Sequence, residues 1–109
     1  MPQVREREVE KYLVEKLKSI GLDCIKFVPD QRSGMPDRLV TLPGERVCWI
    51  ETKKPSGGRV SVIQKYRHTE LREAGQRVEI VWTKEQADDL VRELEQEIKK
   101  TGEQDPGVR

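Results

Sequence analysis

The chain has 109 residues, of which 38% are charged and 34% hydrophobic, and its formal net charge is +1. That length suits one domain with a thin core, for which oligomerisation is a reasonable expectation; the near-zero total excludes a uniformly basic nucleic-acid binder, so any basic face must come from local clustering. The charged N-terminus lacks a signal-peptide core, no apolar run approaches the ~20 residues of a membrane helix, and with His68 as the single histidine a histidine-ligated zinc site is excluded.

Residues 4–20 read as a helix, because Val9, Leu13, Leu17 and Ile20 recur at helical spacing and Gly21 supplies the stop. Residues 22–28 alternate apolar and polar, as a half-buried strand does. Residues 29–36 form a loop containing Ser33-Gly34. Residues 37–42 and 46–53 are two strands joined by the tight turn Pro43-Gly44-Glu45, an antiparallel hairpin with Val47, Cys48, Trp49 and Ile50 at the centre of its second arm. After the loop Pro55-Ser56-Gly57-Gly58, Ser61 caps a helix over residues 62–73, which Gly75 ends. A fourth strand covers residues 77–82, and Thr83 caps a last helix with Ala87, Leu90, Val91, Leu94 and Ile98 on one side. Residues 1–100 are expected to form the domain and residues 101–109, polar with Gly and Pro, a disordered tail. The fold class is α/β: a small mixed β-sheet flanked by helices in the order α-β-β-β-α-β-α, the fourth strand joining parallel to the third through a right-handed crossover.

Cys24 and Cys48 each lie in an apolar, strand-like run without a close partner, which suits two reduced core thiols in a cytosolic protein.

The chemistry concentrates at one end of the hairpin. Asp37 opens one strand and Glu51 nears the end of the next, so antiparallel pairing brings the two carboxylates to one edge of the sheet. Lys53 shares the face of Glu51; Thr52 points away, but its backbone carbonyl remains available. Carboxylate and carbonyl oxygens are the ligands that Mg²⁺ and Mn²⁺ prefer. Pro36 stiffens the approach to Asp37, and Gly34 allows a tight backbone path or the close approach of a phosphate. A third carboxylate comes from the first helix, from Glu10 or from Glu6 one turn earlier; helical geometry alone does not separate them. No serine, cysteine or histidine is placed for a covalent mechanism, so direct attack by water is expected.

The ordered set Glu10-Lys11-Tyr12-Leu13, Gly34-Met35-Pro36-Asp37-Arg38, Glu51-Thr52-Lys53, Gly58-Arg59 and Gln64 resembles the PD-(D/E)xK nuclease superfamily, and within it the short stand-alone form of the virus-type replication-repair nuclease (VRR-NUC) family. Archaeal-type Holliday-junction resolvases are also similar, sharing a helix glutamate ahead of a leucine-rich stretch ending in glycine, and this favours Glu10 over Glu6. The resemblance implies a restriction-endonuclease-like core in which Asp37, Glu51 and the Thr52 carbonyl hold a divalent metal with Glu10 assisting. Lys53 would orient or deprotonate the attacking water, and Gln64 would contact Lys53 or a phosphate. Thr52 departs from the apolar residue that relatives often carry there, a difference its backbone oxygen tolerates.

The expected function is therefore Mg²⁺- or Mn²⁺-dependent hydrolysis of phosphodiester bonds in branched DNA, with Holliday-junction resolution by a homodimer foremost. Flaps, splayed or linear duplexes as substrates, or a non-catalytic DNA-binding module, are the alternatives. Arg32, Gly34, Lys54 and Arg59 flank the site as DNA contacts, whereas Arg67 and Arg72 read as solvated surface and Trp49, Trp82 and Tyr12 as core. No helix-turn-helix or zinc module is present to read bases, so recognition of DNA shape is expected. Neither an organic cofactor nor a membrane is implied, and the expected location is the cytoplasm of a bacterial or phage-infected cell.

Overall fold

The computed structural model describes residues 3–28, 32–44 and 46–104. Among them the elements follow the expected order: α1 (Glu6–Ser19), β1 (Cys24–Lys26), β2 (Arg38–Leu42), β3 (Arg46–Thr52), α2 (Val62–Glu73), β4 (Arg77–Val81) and α3 (Lys84–Gln104). The sheet runs β1-β2-β3-β4. The first three strands are antiparallel and β4 adds parallel to β3, with Glu51 opposite Ile80.

Local chemistry explains where α1 begins and ends. Glu6 and Glu8 occupy its first turn and Lys16 and Lys18 its last, each charge matching the nearer pole of the helix. Gly21, at φ +86°, adopts the left-handed conformation that lets the Leu22 N–H close back onto the Leu17 carbonyl at 2.9 Å. That amide is then unavailable to the sheet, and β1 is shorter than the expected 22–28: it starts at Cys24, and one further bond, Phe27 N–H to the Asp37 carbonyl at 2.7 Å, extends the ladder.

The two helical stripes meet on one face of the sheet. Val9, Leu13 and Leu17 of α1, Val40 and Leu42 of β2, Cys48 and Ile50 of β3, and Ala87, Leu90, Val91 and Leu94 of α3 form one buried cluster. Removing a leucine or isoleucine side chain from water in this layer stabilises the fold by roughly 1.5–3 kcal/mol. Burial pushes the Cys24 thiol up to about 11 and the Cys48 thiol to about 12, so both free cysteines are inert core groups. Tyr12 is tied down as well, its hydroxyl donating to Asp88 of α3 at 2.7 Å.

Alternate residues of β3 face the other side, where α2 packs. The helix α3 continues through Gln104, past the boundary expected at Lys100; residues 105–109 lie outside the described residues, as do Glu45 of the hairpin turn and residues 29–31. Among the described residues no helix is long and apolar enough to cross a membrane.

Candidate active site

The hairpin register places Arg38 opposite Ile50, so Asp37 and Glu51 are the next residues outward on the two arms. Parallel pairing with β4 closes the same region from the far side: the Lys53 N–H donates to the Val81 carbonyl at 2.9 Å. Glu51 is thus delivered at the sheet edge and is only 1% exposed.

Two residues of α2 close over it. Ser61 caps the helix, its side chain accepting from the Gln64 N–H at 3.2 Å, while the Ser61 N–H donates to Gln64 Oε1 at 2.9 Å. The cap spends one end of the Gln64 amide and aims the other: Nε2 donates to Glu51 Oε2 at 3.2 Å. Gln64 therefore meets Glu51, a partner not among the two expected for it, Lys53 or a phosphate; Lys53 Nζ lies 3.8 Å from the same Oε2. One turn on, His68 Nε2 lies 3.6 Å from Glu51 Oε1. Neither atom has a hydrogen-bond partner among the described residues. Burial, then Arg72 and Lys53, hold the His68 imidazole below its ordinary pKa.

Burial raises the Glu51 carboxyl to about 7, with Asp37 and Glu6 adding to the effect and Lys53 opposing it. Burial also raises Asp37, with Glu10 adding and Lys53, Lys26 and Arg38 opposing. The donors at this edge are all oxygen apart from the amide, ammonium and imidazole around them, which fits a hard cation such as Mg²⁺ or Mn²⁺. Among the described residues no three acidic, histidine or cysteine side chains converge closely enough to cage an ion by themselves, so backbone oxygen and water would have to complete the shell.

Glu10 and Glu6 of α1 are held differently. Glu10 accepts a hydrogen bond from Arg38 Nε at 2.9 Å, and Arg38 Nη1 is anchored on the Cys24 carbonyl at 3.1 Å. Glu6 feels burial first and then Lys53 and Asp37, and its own charge acts on Glu51. Glu10 is thus ion-paired with Arg38 and its charge acts on Asp37, while the charges of Lys53 and Asp37 act on Glu6.

The loop before Asp37 is held by α2 rather than left open. Gly34 has φ +86°, and a Cβ there would sit 2.7 Å from the Ile63 carbonyl, so the close approach it permits is to the start of α2. Arg67 donates to the Ser33 carbonyl at 3.1 Å and to Glu70 at 3.1 Å, and Arg32 pairs with Glu70 at 2.6 Å. Arg72 donates to the Val78 carbonyl at 2.9 Å. Arg67 and Arg72 are therefore structural braces, not merely solvated charges.

The fold just described superposes on a solved VRR_NUC domain with a TM-score of 0.75 and 31% identity, over 82% of this chain and 96% of that one. This chain belongs to the VRR-NUC family. In sequence it is 38% identical over 78 residues to "Putative nuclease p44" of Acyrthosiphon pisum secondary endosymbiont phage 1, across 72% of this chain and 83% of that protein. No family model matches it. In this VRR-NUC protein Lys54 and Arg59 are exposed on the loop that follows Lys53, and that loop is drawn tight by Gly58, where a Cβ would lie 2.6 Å from the Lys54 carbonyl. Arg32, also exposed, presents its guanidinium beside Glu70.

The residue that sequence reasoning passed over is His68. Its signal was available: it follows Gln64 by four positions, and residues so spaced share a helix face. Its place against Glu51 is neither that of a zinc ligand nor that of a covalent catalyst.

Proposed function

We propose that this VRR-NUC protein is a Mg²⁺- or Mn²⁺-dependent DNA endonuclease that cuts branched DNA and resolves four-way junctions as a homodimer. One observation carries the reading: Glu51 is buried, its carboxyl is raised to about 7, one oxygen lacks a partner among the described residues, and Asp37 adds a second negative charge while the Lys53 ammonium stands 3.8 Å away. A divalent cation relieves that arrangement. Asp37, Glu51 and the Thr52 carbonyl would hold it, with Glu10 and Glu6 reaching it directly or through water. When bound, the ion supplies Lewis acidity to the phosphate and lowers the pKa of water.

The protein's own groups then divide the remaining tasks. Lys53 orients the attacking water and offsets charge on the phosphate. Gln64 holds Oε2 of Glu51 in place. Lys54 and Arg59 grip the DNA backbone, with Arg32 at the rim. Two free, buried thiols support a reducing cytoplasmic setting, and a relative from a phage whose name is that of a nuclease supports a phage or bacterial host. A two-fold dimer would present two such edges to a four-way junction, which one copy cannot do.

The test is a panel of four-way junction, flap, splayed and linear duplex DNA, incubated with purified protein and Mn²⁺ or with EDTA. Cleavage of the junction that needs the metal is expected. Asp37→Ala and Lys53→Ala should each lower its rate at least ~10²-fold while leaving binding largely intact. Equal cutting of flaps or linear duplex would remove the junction assignment. Binding of every substrate with cleavage of none would leave a non-catalytic module.

A further inference from the structure

His68 has no task in the chemistry above, yet it is only 2% exposed and lies on the face of α2 turned to the sheet. It shares that face with Gln64, one turn earlier. The two side chains address different oxygens of one carboxylate: Gln64 Nε2 is 3.2 Å from Glu51 Oε2, and His68 Nε2 is 3.6 Å from Glu51 Oε1. The second contact is a few tenths of an ångström beyond hydrogen-bond reach. Both of its atoms are buried and neither has any other partner among the described residues. A donor and an acceptor buried face to face satisfy each other most cheaply by closing that gap.

We infer that His68 is a positioning residue for Glu51, its Nε2–H taking Oε1 while Gln64 takes Oε2, so that the carboxylate plane is fixed from behind and its remaining lone pairs face Asp37. This rests on the metal-site reading above. Partners of this kind behind a ligand carboxylate set metal affinity, and removing one lowers it by roughly 10–100-fold. In this arrangement the ring carries its proton on Nε2. A histidine that merely filled space would be replaceable by any apolar side chain of similar volume.

Binding of Mn²⁺ to the full chain without DNA, followed by electron paramagnetic resonance, separates the two. His68→Met should weaken binding by about 10–100-fold. His68→Gln, which keeps an amide nitrogen where Nε2 stands, should restore most of the affinity. Wild-type affinity in a folded His68→Met protein overturns the inference, as does a His68→Gln protein no better than His68→Met. Nitrogen-15 spectra of the wild-type imidazole give a readout that needs no variant: a proton on Nε2 is expected, and one on Nδ1 alone overturns the assignment. Glu51→Gln distinguishes the two levels of argument. If it binds Mn²⁺ like wild type, the metal-site reading fails and this inference with it. If it loses Mn²⁺ while His68→Met does not, only the role of His68 fails.

Discussion

Two charged clusters sit at opposite ends of the β3–β4 pair, and they solve the burial of charge in opposite ways. At one end Arg77, beginning β4, donates to Glu79 at 2.9 Å, Glu93 at 2.8 Å and Glu97 at 2.5 Å. Burial alone would lower its pKa, but the hydrogen bonds to Glu79 and Glu93 more than offset it and hold the guanidinium above its ordinary value. Every charge there finds its opposite within the chain. At the other end Glu51 is more deeply buried, has an oxygen without a partner and faces a second acid, with the nearest ammonium at 3.8 Å. A cluster that only holds the fold together completes its own pairing; one that must accept something from outside does not. The difference lies in completion rather than number: the Arg77 cluster is closed within the chain, while Glu51 keeps an oxygen without a partner among the described residues.

Substitutions at the two ends should therefore separate cleanly. The largest expected effect is Glu51→Gln, which should lower cleavage by at least ~10²-fold in the substrate panel. Next, Arg77→Met should cost about 1–2 kcal/mol in urea unfolding, because Glu79 and Glu93 lose their guanidinium while Glu97 keeps Arg46 at 2.8 Å, yet leave cleavage per folded molecule unchanged. A loss of activity comparable to that of Glu51→Gln would erase the distinction. Stability should move the other way at Glu51. Its folded-state pKa lies above the ordinary 4.5, so its contribution is full below that value and is lost as pH rises through about 7. Glu51→Gln should accordingly melt higher than wild type at pH 8, by about 1–3 kcal/mol, and converge with it near pH 5. The smallest effect belongs to an exposed pair that joins neither cluster: Arg92→Ala, which removes the contact with Asp89, should change stability by less than about 0.5 kcal/mol.

Much of this was legible in the residues. The apolar spacing of Val9, Leu13 and Leu17 and the stop at Gly21 predict α1, and the turn at Pro43-Gly44 predicts a hairpin whose register puts Asp37 and Glu51 at the same end. The parallel addition of β4 followed from a helix lying between two strands. What escaped were contacts made between distant segments. Nothing in the Ser33-Gly34 dipeptide reveals that it will lie against Ile63, and nothing in Arg32 or Arg67 reveals a shared partner in Glu70. Glu6 and Glu10 are separated by one turn, and only the position of Arg38 decides which of them it takes. His68 was hidden for a different reason: burial against a carboxylate is a tertiary fact, while its spacing from Gln64 was open to view.

The hydrogen bond from the Lys53 N–H to the Val81 carbonyl carries a kinetic corollary. The end of β3 that bears Glu51 is buttressed by β4, the strand reached only after α2 has crossed over. Deuterium uptake at that amide cannot proceed by fraying of the hairpin alone; it requires β4 to detach, and with it the floor beneath α2. Its protection factor should therefore match those of the innermost amides, such as Ile50, and not those of the surface turns. The edge that carries Glu51 should then be as slow to breathe as the hydrophobic layer behind it.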